Sequence, residues 1–89
     1  MITAIVLLNV ERKSINRIAE LLAGMENISE VYSVTGNYDL VAIVRVRDSD
    51  DLATLMTEQL AEVEGIEKSD TMLAFKAYSR HDLESMFAL

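Results

Sequence analysis

Residues 2–10, ITAIVLLNV, form a short, largely apolar run rich in β-branched side chains and closed by the charged ERK. A run so short and so bounded predicts a buried strand. The period then changes. In SINRIAELLAGM, Ile15, Ile18, Leu22 and Met25 recur on one helical face with Leu21 beside them. Ser14 as N-cap and Gly24 as stop predict a helix over 14–24. ISEVYSV (28–34) alternates, setting Ile28, Glu30, Tyr32 and Val34 against Ser29, Val31 and Ser33, as a second strand does. YDLVAIVRVR (38–47) reads as a third. DSDDLATLMTEQLAEV repeats the helical pattern through Leu52, Leu55, Met56, Leu60 and Val63. Ser49 is the expected N-cap there, Asp50 and Asp51 suit the helix dipole, and Gly65 ends the helix. IEKSDTMLAFKAYS (66–79) completes the strands. The tail, RHDLESMFAL, predicts a short helix in oligomer contacts, which divides the chain into a domain, 1–79, and a tail, 80–89.

The order β-α-β, tight turn, β-α-β is the α+β, ferredoxin-like plan: a four-stranded antiparallel sheet with two helices on one face. The face away from the helices should then carry polar residues at alternate positions. It does not, because both faces are apolar: Ile2, Ala4, Val6 and Leu8 oppose Ile5 and Leu7 on the first strand, Leu40, Ala42, Val44 and Val46 oppose Val41 and Ile43 on the third, and Leu73, Phe75 and Ala77 oppose Met72, Ala74 and Tyr78 on the last. Each large aliphatic side chain is worth about 1.5–3 kcal/mol when buried, and small soluble monomers rarely leave such a patch wet. Ten tail residues are too few to cover four strands. The pattern predicts a dimer that packs sheet against sheet, an α+β barrel-type assembly, with Met86 and Phe87 of the tail against a partner.

Composition narrows the function classes. Eighty-nine residues make one domain, and a 51% hydrophobic fraction with a net charge of −7 makes it globular and acidic. Its eight Lys and Arg are scattered, so no phosphate-neutralising stripe exists and direct nucleic-acid binding is not expected. The opening apolar run is far short of the roughly 20 residues of a membrane span, and its charges follow rather than precede it. A cytoplasmic protein with no membrane partner is expected. There is no cysteine and a single histidine, His81, so neither a Ser–His nor a Cys–His pair with further support can be assembled. DSDD (48–51) reads as a helix start, not a calcium loop. No catalytic residue, metal or cofactor is expected, although small dimeric enzymes do occur on this architecture.

The loop TGNYDL (35–40) asks for more. Gly36-Asn37 suffices for a hairpin turn, which leaves Tyr38 and Asp39 unexplained. VYSVTGNYDLVAIVRVRDSDDLATL resembles the effector-binding, or RAM, domain of the Lrp/AsnC family, and GIEKSDTMLAFK is similar to that family's last strand. The resemblance runs over residues 2–79. It implies an amino-acid-sensing module whose dimers assemble further, commonly as rings of four dimers, with effectors held between neighbouring dimers. Family regulators carry an N-terminal helix-turn-helix domain, whereas here Met1 opens into the first strand. The resemblance is therefore to the stand-alone form, which acts alone or co-assembles with full-length Lrp/AsnC regulators. The effector-binding candidates are Gly36, Asn37, Tyr38 and Asp39, with Ser69 and Thr71 at positions where the family lines its pocket.

The chemistry of these residues suits a free amino acid. Successive N–H groups around Gly36 can cradle a carboxylate. The Asp39 carboxylate can accept from an ammonium in a strong, charge-assisted bond. Tyr38 offers a rigid wall with a polar tip, and the hydroxyls of Ser69 and Thr71 can donate or accept. Each has a plainer alternative: Tyr38 as packing, Asp39 bonding turn amides, Ser69 and Thr71 as ordinary surface strand residues. A purely structural oligomerisation domain is the competing reading.

Overall fold

The computed structural model describes residues 1–78. The expected tail helix and His81 lie outside the described residues. Strands β1 (Ile2–Val10), β2 (Ile28–Ser33), β3 (Leu40–Val46) and β4 (Ile66–Leu73) form one antiparallel sheet in the order β2-β3-β1-β4. Helix α1 (Ile15–Ala23) connects β1 to β2, and a second helical segment beginning with α2 (Ser49–Thr54) connects β3 to β4. This is the ferredoxin-like α+β plan.

Strict alternation decides which side of the sheet is core. Ala4, Val6, Leu8 and Val10 on β1, and Leu40, Ala42, Val44 and Val46 on β3, are buried under the helices. Ile18 and Leu22 of α1, then Leu55, Leu60 and Val63 of the second helical segment, close over them. In the intervening positions Ile5, Leu7, Val41 and Ile43 face the open side, where the chain leaves them half-buried. Ile5 pairs with Ile43 on one side and Met72 on the other, so the apolar row crosses three strands.

Four local features depart from the sequence reading. The second helix is capped by Asp48, not Ser49: its Oδ1 accepts from Asp51 N–H at 2.9 Å. A cap of this kind contributes about 0.5–2 kcal/mol. Second, β2 is not uniformly alternating. A register shift between Ile28 and Glu30 lets Ile28 and Val31 pair with Val44 and Ala42 on the core side, as an extra residue in one strand requires. Glu30 and Tyr32 face outward as a result. Third, α1 is preceded by a 3₁₀ turn (Arg12–Ser14), and Ser14 makes no side-chain capping bond.

The fourth departure is the largest. After Thr54 the helix widens into a π-turn, Leu55–Gln59, and tightens into a 3₁₀ turn, Leu60–Glu62. Leu55 and Leu60 are five residues apart, a spacing that α-helical hydrogen bonding would splay apart. The i→i+5 bonding of a π-turn brings both into the core.

Candidate functional site

The loop between β2 and β3 is wider than a two-residue hairpin. Val34 N–H donates to Asp39 O at 3.0 Å and encloses Thr35, Gly36, Asn37 and Tyr38. Gly36 alone in this loop has a positive φ, 102°, which is why glycine is needed at that position. Asn37 does not share the left-handed conformation.

Three hydrogen bonds stitch the loop to the end of β1. Asn9 Nδ2 donates to Asn37 O at 2.8 Å, Asp39 N–H to Leu8 O at 2.8 Å, and Val10 N–H to Asp39 Oδ2 at 2.9 Å. Asp39 therefore completes the β1 ladder where β3 begins, satisfying a backbone donor that is expensive to leave unpaired. A carboxylate offers about four lone-pair sites, so one N–H leaves capacity for a second donor.

Tyr38 reaches across β1. Its hydroxyl donates to Asp70 Oδ2 on β4. Asp70 pairs with Leu7 and so lies on the open side, whereas Ser69 pairs with Leu8 and Thr71 with Val6, both on the helix side. The structure thus joins Gly36, Asn37, Tyr38 and Asp39 into one loop bound to β1. It sets Ser69 and Thr71, both exposed, on the opposite face of β4 from the tip of Tyr38. Asp70 was missed by the sequence reading. Its position between the two hydroxyl residues was visible, but its partner depends on a register that only the folded sheet shows.

The hydrogen bond to Asp70 raises the Tyr38 pKa, with desolvation and the charge of Asp70 adding in the same direction. The neutral phenol is thus the form the fold favours. Its contribution is complete below the ordinary tyrosine value near 10 and is lost as pH rises through the raised one. Asp70→Asn is expected to bring Tyr38 ionisation down toward the ordinary range. Phenolate absorbance titration checks this, with Tyr38→Phe identifying the transition. Tyr32, raised by its bond to Glu30, should not move.

Comparison with known proteins gives the family. Residues 3–83 match the model of the Lrp/AsnC ligand binding domain. The chain belongs to the Lrp/AsnC family. It is 31% identical over 77 residues to the HTH-type transcriptional regulator FL11 of Pyrococcus furiosus, an alignment covering 86% of this chain and 50% of that protein. The chain thus spans about half the length of the curated Lrp/AsnC relatives it matches. TTHA0845 from Thermus thermophilus superposes with a TM-score of 0.83 at 44% identity, over 90% of this chain and all of that one. The regulator NMB0573 of Neisseria meningitidis, solved as an L-Met complex, shares the fold with a TM-score of 0.80 at 11% identity, over 89% of this chain and 53% of that one. Among the described residues no helix is long and apolar enough to cross a membrane, and none groups with others as a metal site.

Proposed function

We propose that this chain is an amino-acid-binding and oligomerisation module that modulates transcription through Lrp/AsnC-type regulators in the cytoplasm, without catalytic activity. The effector sits in clefts between neighbouring dimers, against Gly36, Asn37, Tyr38 and Asp39 of one chain and Ser69 and Thr71 of another. Four dimers closing into a ring make such clefts, and full-length family members are the natural partners.

One observation carries the reading. In a single chain the tip of Tyr38 and the two hydroxyls lie on opposite sides of β4, so a ligand touching Tyr38 together with Ser69 and Thr71 calls for a second copy. The apolar open face of the sheet provides the reason for a second copy to be present. The match to a ligand-binding domain supports the small-molecule part, and the helix-turn-helix regulators among the relatives support the link to transcription. NMB0573, a regulator that shares this fold, was solved as an L-Met complex, which supports an amino acid as the ligand.

A structural oligomerisation domain is favoured by a different fact: Tyr38 and Asp39 are both already engaged within the chain. Thermal melting with each of the twenty amino acids separates the two readings. A ligand at 100 times its dissociation constant stabilises the native state by about 2.7 kcal/mol. Asp39→Asn keeps an acceptor for Val10 N–H but removes the charge, so it is expected to abolish the response at unchanged oligomer size. Silence from the whole panel would leave the structural reading standing.

A further inference from the structure

We infer that Asp70 is a positioning residue of the loop site: through the hydroxyl of Tyr38 it holds residues 35–38 in the shape that receives the amino acid. The inference rests on the amino-acid-binding reading above and adds a residue that touches no ligand itself.

The loop is anchored unevenly. Its ends are fixed by main-chain bonds, Val34 N–H to Asp39 O at 3.0 Å and Asp39 N–H to Leu8 O at 2.8 Å. Between them, among the described residues, no backbone–backbone bond holds Thr35, Gly36, Asn37 or Tyr38. Thr35, Gly36 and Asn37 are exposed as well. A segment with so few backbone bonds opens easily. Two side chains restrain it instead: Asn9 Nδ2 donates to Asn37 O at 2.8 Å, and Asp70 Oδ2 accepts from the Tyr38 hydroxyl.

Both restraints come from the open side of the sheet. Asn9 alternates with the buried Leu8 and Val10, and Asp70 is the register partner of Leu7. Asn9 stands at the foot of the loop, on β1. Asp70 stands on β4, beyond β1, so the bond from Tyr38 spans that whole strand. It ties the loop to the strand that carries Ser69 and Thr71, one on either side of Asp70. The bond therefore fixes how far the loop stands from the two hydroxyl positions, a spacing that every cleft of a symmetric assembly inherits.

The chemistry suits a tether. A carboxylate accepting from a phenol makes a charge-assisted bond, stronger than a neutral one, and Asp70 favours the neutral phenol that donates it. A loop already held in its binding shape avoids the ordering cost that a free loop incurs when a ligand arrives.

The experiment is calorimetric titration of the intact oligomer with each of the twenty amino acids. Tyr38→Phe removes one end of the tether but leaves the ring, Asp70→Leu removes the other end, and Asp70→Asn keeps a side-chain oxygen as acceptor. For any amino acid that binds the parent protein, Tyr38→Phe and Asp70→Leu are each expected to weaken binding by roughly tenfold or more. The double variant should be no weaker than the worse single one, since both remove the same bond. Asp70→Asn should fall between. Tyr38→Phe takes away a single oxygen, so with Asp70→Asn it carries the test even if Asp70→Leu disturbs assembly. Unchanged affinity in the Asp70 variants overturns the inference, because Tyr38 would then act only as a wall. Losses that multiply in the double variant overturn it too. So does a lower melting temperature at unchanged affinity, which would make the bond purely structural. Each of these leaves the amino-acid-binding reading intact, whereas a parent protein that binds none of the twenty removes both.

Discussion

Ile43→Glu is expected to yield a folded monomer of 10.0 kDa, and the parent protein is expected to run as an oligomer. Ile43 lies on the open side of β3, paired with Ile5 of β1 and flanked by Glu30 of β2. Val41, Leu7 and Met72 extend the same apolar surface. Its edges are polar: Tyr32 donates to Glu30 at 2.7 Å, and Arg45 to Ser29 at 2.7 Å. An apolar centre with a polar rim is how subunit interfaces are built. Losing one buried Ile costs about 1.5–3 kcal/mol, and the new carboxylate gains no partner. Both copies of a symmetric contact carry the change, so about 3 kcal/mol each weakens the dimer by roughly 10⁴-fold. Light scattering at micromolar concentration reads the mass, and far-ultraviolet circular dichroism shows that the fold remains. An unchanged mass for the variant would place the contact on another surface. A parent protein that is itself monomeric would remove the clefts.

Gly65→Ala is expected to be the most damaging of the chain's three Gly→Ala changes. Gly65 has a φ of +99°, and a Cβ there would come within 2.8 Å of Ile18 Cδ1, a side chain fully buried in the core. Its neighbourhood holds the connection to β4 in place: Gly65 O accepts from Glu11 N–H at 2.8 Å, and Glu64 O from Arg17 Nη2 at 3.1 Å. The left-handed backbone costs a side-chain-bearing residue about 1–2 kcal/mol, and forcing a methyl into a filled core adds about 1–3. The total, roughly 2–5 kcal/mol, is a large share of a typical domain's 5–15. Gly36→Ala is the informative comparison. Its φ is similar, 102°, but nothing lies within 4 Å of the added Cβ, so only the backbone cost of about 1–2 kcal/mol applies. Urea unfolding of the two variants side by side separates strain from collision.

What the sequence made legible was whatever repeats with a fixed period. β1 and β3 alternate without interruption, and their buried and open faces fall where alternation puts them. Ile18 and Leu22 of α1 followed from helical spacing. Features that break a period were not legible. The extra residue in β2 moved Val31 to the core side, away from the face that simple alternation assigns it. The Leu55–Leu60 spacing sits poorly on an α-helix, yet only the π-turn explains how both are buried. The choice of Asp48 over Ser49 as cap turned on which side chain could reach Asp51 N–H, since both types cap well. The candidate site divided in the same way. Gly36 and Asp39 could be found because a turn and a carboxylate have local meaning. The Tyr38–Asp70 bond, the anchoring of Asp39 on Val10, and the placement of Ser69 and Thr71 across β4 depend on contacts between residues distant along the chain.

The order of the sheet bears on how the protein is made. β1 precedes the other three strands along the chain but occupies an interior position, with β3 on one side and β4 on the other. During synthesis this largely apolar strand of nine residues must wait for a neighbour, and the second neighbour arrives only with β4. Such long-range pairings form slowly and leave strand edges exposed meanwhile. The emerging polypeptide is thus most vulnerable to aggregation before β4 clears the ribosome, and a stalled or truncated product ending before Ile66 would carry that vulnerability permanently.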